Sequence, residues 1–246
     1  MAQGAFKGVV GFSLGFGFGV VWSTFSVMPS FISERDTCGV PVISGNIEGR
    51  GMIKKISVLA CALIGASSLN APAFAGQLQA TRAISAPEGF SSACQRYSWL
   101  CSSRGGATMS DDKALELLSR VNRKVNSSIR PAEDSAVYGR SNYWSMPEGG
   151  RGDCEDYAMA KTKALLDAGF QASKMAVSVV LDRGGNNHAV LLVRLSGGDF
   201  VLDSLTSTIK PWDQTGYTFL ARQKFDHKAA WEVILSGPRA KQFNEI

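Results

Sequence analysis

Histidine is nearly absent from this chain: His188 and His227 are the only two in 246 residues. Any reaction that uses an imidazole as general base is left with almost no choice of residue. A dominant charge is missing as well. The 26 basic and 21 acidic side chains leave a formal net charge of +5, too mild and too dispersed for a nucleic-acid partner. Cysteine is sparse, at five, and no internal repeat is visible.

Long apolar runs are confined to the N-terminal third. After Met52, Ile53-Lys54-Lys55 leads into an apolar stretch to about Leu69 and then Ala71-Pro72-Ala73-Phe74-Ala75. A basic start, an apolar centre too short to span a bilayer comfortably and a small-x-small end are the three parts of a secretory signal. Residues 52–75 are therefore read as a signal peptide cleaved near Ala75, which places the mature protein in the periplasm or outside the cell. A signal peptide belongs at the start of a chain, so residues 1–51 are read as an upstream extension from a mis-assigned start. The competing reading makes residues 8–32, largely apolar and long enough, a membrane segment. Residues 76–246 form the expected domain, large enough for one real core. Residues 1–75 carry five basic and three acidic groups, so the net charge of the remainder is +3.

Cys94, Cys101 and Cys154 remain in that domain. An odd count in a secreted protein implies one disulfide and one thiol. Cys94 and Cys101 are near enough in sequence to close a small loop, which leaves Cys154 as the thiol. The alternative, that Cys94 and Cys101 are both reduced, is disfavoured in an oxidising compartment.

Residues 76–109 show little periodicity and are expected to wrap the surface. Ser110 is a natural N-cap, with Asp111 and Asp112 in the first turn, for a helix over 111–127 whose apolar face carries Leu115, Leu118, Val121 and Val125. Pro131 marks its end. A loop with Tyr138, Tyr143 and Trp144 leads to a second helix over 153–168, stopped by Gly169. Strands are expected over 175–181, 188–195 and 200–205, joined by Gly- and Asn-rich turns that suit antiparallel hairpins, and again over 217–223 and 230–235. Helices first and an antiparallel sheet afterwards indicate an α+β fold.

Within this frame, Gly152-Asp153-Cys154-Glu155-Asp156-Tyr157 sets a cysteine at a helix start, where unpaired N–H groups and the dipole favour a thiolate. Gly152 would admit a substrate close to the sulfur, and the Cys154 N–H would form part of an oxyanion hole. His188 opens one strand and Asp203 lies late in the next. A hairpin between them would bring the acid beside the imidazole and orient it. That is the inventory of a Cys-His-Asp nucleophilic site; the plainer alternative is a polar strand end and an acid before a turn. His227 sits in a charged segment between late strands and reads as a loop residue.

The acids around the cysteine oppose its ionisation. Asp153, Glu155 and Asp156 alone would raise the thiol pKa, so an imidazolium or a bound cation must offset them. Three carboxylates in four residues suit calcium; they suit a solvated helix N-terminus equally well. Tyr143 and Trp144, just before the helix, either wall the substrate cleft or pack in the core.

At these residues the chain resembles the bacterial transglutaminase-like cysteine proteinases, a secreted family within the papain-like superfamily. The resemblance is carried by Tyr143-Trp144, Gly152-Asp153-Cys154-Glu155-Asp156-Tyr157, His188-Ala189-Val190-Leu191, Leu202-Asp203 and Pro211-Trp212-Asp213-Gln214-Thr215-Gly216-Tyr217. It implies a papain-like or transglutaminase-like core, with Cys154 as nucleophile, His188 as base and acid, and Asp203 as orienter. Some members are calcium-dependent periplasmic proteases that cut surface adhesins, their calcium held by carboxylates that map to Asp153, Glu155 and Asp156. Ser204 stands after Asp203 where related sequences often carry Asn.

The resulting expectation is a secreted cysteine peptidase acting on a protein or peptide substrate, with a cell-surface protein as target and a membrane-bound regulatory partner that covers the cleft. Possible Ca2+ is the one cofactor, and no organic cofactor is expected. A transamidase shares the same acyl-enzyme and is not separated from a peptidase by sequence. The rival from another class is a non-catalytic, calcium-responsive protein-binding module. It requires a Cys154 of ordinary reactivity.

Overall fold

The computed structural model describes residues 76–243; the segments read as signal peptide and upstream extension, with Cys38 and Cys61, lie outside the described residues. After strand β1 (Arg82–Ile84) come helices α1 (Phe90–Arg96) and α2 (Asp111–Ser128). Strand β2 (Arg130–Pro131), helix α3 (Asp134–Tyr138) and strand β3 (Arg151–Gly152) lead into α4 (Cys154–Asp167). Six strands follow: β4 (Met175–Leu181), β5 (Asn187–Leu195), β6 (Gly198–Leu202), β7 (Lys210–Pro211), β8 (Thr218–Gln223) and β9 (Trp231–Ser236). Helices precede an antiparallel sheet of order β1-β9-β8-β4-β5-β6-β7, so the fold is α+β.

β4 and β5 are almost continuous apolar runs because both faces of the sheet are covered. Side chains alternate between the faces. Val177, Val179, Ala189, Leu191 and Val193 join the larger core with α1, α2 and α4. Val180, Val190 and Leu192 join a smaller one with Leu78, Val201, Tyr217 and Phe219. Leu78 is fastened over that second face through its backbone. Its N–H donates to Asp199 Oδ2 at 2.9 Å and its carbonyl accepts from Arg222 Nη1 at 3.0 Å. α4 packs between β5 and α2, and nine of its fourteen residues are buried. A helix enclosed on so many sides has no clear polar face, hence its weak amphipathic signal.

Two expectations are corrected here. The segment 76–109 does not merely wrap the surface: Phe90, Ala93 and Leu100 are fully buried. α1 has only seven residues, and two turns offer too few inward positions for a period to show. In α2 the buried stripe runs through Ala114, Leu117, Leu118, Val121 and Val125, with Leu115 at its edge. Cys94 and Cys101 are joined in a disulfide that ties the end of α1 to the turn after it. Phe90 stands edge-on to Trp144 and Trp231, with ring centroids 5.2 and 5.1 Å away. Phe90→Ala is expected to destabilise the domain by about 3–5 kcal/mol, read as a lower urea midpoint at unchanged slope.

Candidate active site

The cysteine and the histidine arrive from α4 and β5, which pack against each other. β2 pairs with β3 in parallel, and Ala132 N–H donates to the Gly152 carbonyl at 3.0 Å. This fixes the chain just before Cys154, the first residue of α4. Tyr157, one turn later, donates to the Ile129 carbonyl at 2.6 Å and locks the helix to the end of α2. Gly152 serves a different purpose from the one read in the sequence. A Cβ there would lie 2.8 Å from the Cβ of Asp156, so the missing side chain makes room for Asp156.

Cys154, His188 and Gly152 line one hollow of about 210 Å³, with Asp153, Tyr157 and Leu205 also at its wall. Ala189 N–H donates toward Cys154 Sγ at 3.2 Å, and Glu155 Oε2 lies 3.3 Å from the same sulfur. Nucleophilic chemistry at Cys154 needs its sulfur reduced.

His188 Nε2 is 2.7 Å from Asp203 Oδ1, so the structure brings these two side chains together. β5 and β6 form the hairpin that does so. Asp203 is not inside β6, as the sequence suggested, but just past its end. Its Oδ1 accepts from Leu205 N–H at 3.0 Å, a local turn that competes with the ladder. Asn126 of α2 holds the same turn, donating to the Asp203 carbonyl at 2.9 Å. Asp203 Oδ2 accepts from Tyr217 Oη at 2.6 Å. Burial alone would raise the Asp203 pKa. The hydrogen bond and charge of His188, with the bonds from Tyr217 and Leu205, outweigh it and hold the carboxyl below its usual value. Tyr217 and His188 also meet edge-to-face, 6.0 Å between centroids.

The acidic cluster differs in membership from the sequence reading. Carboxylate oxygens of Asp134, Asp153 and Glu155 come within 4.8 Å of one another, all buried. Asp156 is not among them. Its Oδ1 accepts from Ser145 N–H at 2.8 Å and its Oδ2 from Tyr138 Oη at 3.5 Å. Asp134 Oδ2 accepts from Tyr143 N–H. Asp134 Oδ1 and Asp153 Oδ1 are buried without any hydrogen-bond partner. Burial, then the charge of Asp134, raises Asp153 to about 7. Burial, then Asp153, raises Asp156 to about 8 and holds Glu155 well above its usual range. Two orphaned buried carboxylate oxygens beside a third acid make a donor set fitted to a hard cation such as Ca2+.

Tyr143 and Trp144 do not wall this hollow. Trp144 is 2% exposed and sealed against Phe90 and Trp231. Tyr143 lies under the guanidinium groups of Arg96 and Arg140, 4.3 and 4.5 Å from its ring centre. His227 is exposed in the turn between β8 and β9. Sequence reasoning did not assign Asp134, Tyr217 or Lys161 to the site. Lys161 is buried two turns after Cys154 on α4. Burial lowers its pKa to about 7, against the pull of Asp203. A lysine at that spacing on a buried helix was the one available signal.

Bacterial transglutaminase-like cysteine proteinases (BTLCP) match this chain over residues 80–238. Comparison with curated proteins finds no match. Among solved structures, *Legionella pneumophila* LapG in a calcium-bound form is 23% identical, with a TM-score of 0.39, over 44% of this chain and 63% of LapG. An EGTA-treated form is 24% identical (TM-score 0.38; 44% and 61% coverage). A third LapG structure is 22% identical (TM-score 0.41; 53% and 73% coverage). In the first two, the matched part is thus less than two thirds of the LapG chain.

Proposed function

Because the chain belongs to the bacterial transglutaminase-like cysteine proteinase family, we propose that it is an exported peptidase with Cys154 as nucleophile, His188 as general base and acid, and Asp203 as orienter. The observation that carries this reading is the convergence of sulfur, imidazole and carboxylate: Cys154 and His188 share one hollow, and Asp203 holds His188 Nε2 at 2.7 Å. That contact leaves Nδ1 as the nitrogen to take the thiol proton. The sulfur then attacks the scissile carbonyl carbon, and the imidazolium gives its proton to the departing amine. Water, deprotonated by His188, attacks the thioester. The carboxylic acid product leaves and the thiol is restored. Asp203 keeps the imidazole in one tautomer and stabilises its charged form. The Cys154 N–H, at the helix start, is the expected donor to the oxyanion.

Asp134, Asp153 and Glu155 would hold Ca2+. When bound there, the ion would neutralise the carboxylate charge that disfavours a thiolate at Cys154. LapG, similar over part of this chain, is described in calcium-bound and EGTA-treated forms. The substrate is an extended protein segment, with a cell-surface protein as target class and a membrane-bound partner covering the cleft as regulator. Among the described residues no helix is long and apolar enough to cross a membrane.

The test is cleavage of unfolded protein by the reduced chain with calcium, against iodoacetamide-treated enzyme. Iodoacetamide-sensitive cleavage supports the peptidase. Amine incorporation without cleavage would point to a transamidase, and neither activity to a binding module. Tyr217→Phe removes one donor from Asp203 while keeping the ring. A hydrogen bond to a charged group is worth about 1.5–3 kcal/mol, and part of it is lost here. kcat is expected to fall about tenfold with KM little changed; a change in KM alone would contradict this role.

A further inference from the structure

A second hollow, of about 290 Å³, adjoins the cleft. The two meet at Asp182 and Leu205, which line both. Leu205 is 64% exposed, and among the described residues it is the one large apolar side chain so open. A chain bound at Cys154 and passing over Leu205 therefore presents a side chain to this second hollow. Its carboxylates are already engaged. Asp182 takes Asn186 N–H at 2.9 Å and Asn186 Nδ2 at 3.0 Å. The Asp203 carboxylate takes His188, Tyr217 and Leu205 N–H. The Thr215 hydroxyl accepts from Tyr217 N–H at 3.1 Å and donates to the Trp212 carbonyl at 2.7 Å.

Its donors are not. Arg183 is anchored by one bond, Nε to the Thr215 carbonyl at 2.8 Å, which leaves its two terminal nitrogens without a hydrogen bond or ion pair among the described residues. Lys210, also at the wall, makes none either. Lys210 is half-buried, so its charge is only partly screened by water; Arg183 is exposed but held in place by its bond to Thr215. A small hollow with two cations that make no ion pair, one of them an anchored guanidinium, and with its own carboxylates already hydrogen-bonded suits a carboxylate. We propose that this hollow is a substrate side-chain subsite for Asp or Glu, with Arg183 and Lys210 as its specificity-determining residues. The proposal rests on the reading of Cys154 and His188 as a peptidase centre.

The experiment uses the full chain, reduced and with calcium, on a mixed peptide library, with cleavage sites read by mass spectrometry. Asp and Glu are expected to be enriched at one fixed position from the scissile bond. A matched pair of peptides with Glu or Gln at that position then gives a kcat/KM ratio. Arg183→Gln and Lys210→Gln, singly, are each expected to lower that ratio about tenfold. Lys210→Gln provides the readout should loss of the Arg183 anchor disturb folding. Cleavage without acidic enrichment, or a ratio that survives both variants, overturns the subsite and leaves the peptidase standing. No cleavage of any peptide, with Cys154 alkylated no faster than an ordinary thiol, overturns the peptidase reading and the subsite with it.

Discussion

Cys154→Ala is expected to reduce peptide-bond cleavage by roughly 10⁴–10⁶-fold, the range seen when a nucleophile that works as a unit with its base is removed. The covalent route disappears, and only binding and oxyanion stabilisation remain. His188→Ala should cost about as much, and the double variant little more than either single one. That non-additivity distinguishes a catalytic unit from two independent structural losses. Thermal melts of each variant accompany the rates, because Cys154 and His188 are only 6% and 2% exposed. The measurement is initial rates on one protein substrate under reducing conditions, since the nucleophile must be a thiol. A Cys154→Ala protein that retains cleavage would remove the basis for this mechanism.

Calcium should raise the melting temperature. At about 100 times its Kd a ligand adds about 2.7 kcal/mol, and for a domain of this size each kcal/mol corresponds to about 2–4 °C. A rise of about 5–10 °C over the EGTA-treated protein is therefore expected near neutral pH, and Asp134→Asn should diminish it. The pH dependence gives an independent check. Without metal, Asp153 and Asp156 are raised from 3.8 to about 7 and about 8, so the folded state binds protons more tightly than the unfolded one. Their contribution is greatest at low pH and is lost as pH rises toward those values. Lys161 and Lys228, lowered from 10.5 to about 7 and about 8, act in the opposite sense, but only above about pH 7. Between about pH 4 and 7 the metal-free protein should thus lose stability as pH rises. The calcium-induced rise should grow over the same interval, because the ion displaces the proton of Asp153. A melting temperature indifferent to calcium across that interval would exclude the cluster as a binding site.

Much of this protein follows from local pattern alone. The runs that become β4 and β5 are apolar, β-branched and bounded by Gly- and Asn-rich turns, and the strand expected over 175–181 coincides with β4. Ser110, Asp111 and Asp112 announce α2 because a helix start needs acceptors for its unpaired N–H groups. The order of helices and strands suffices for α+β, and two histidines in the whole chain narrow the base to His188. These features depend on neighbours within a turn or a hairpin, so the sequence carries them directly.

Tertiary structure decided the rest, because it depends on what lies across the fold. Trp144 packs against Phe90 and Trp231, more than fifty and eighty residues away in sequence, and no local pattern says whether an aromatic will line a cleft or close a core. Asp156 and Asp153 are alike in sequence, yet Ser145 and Tyr138 engage the first while the second faces Asp134 from a separate helix. Tyr217 reaches Asp203 only because β8 lies beside β4 while the hairpin places Asp203 at the end of β6. A residue type and its spacing fix what a side chain can do. Which partners it meets is set by burial and by the long-range pairing of the sheet, where the free energy of folding is shared across the whole core.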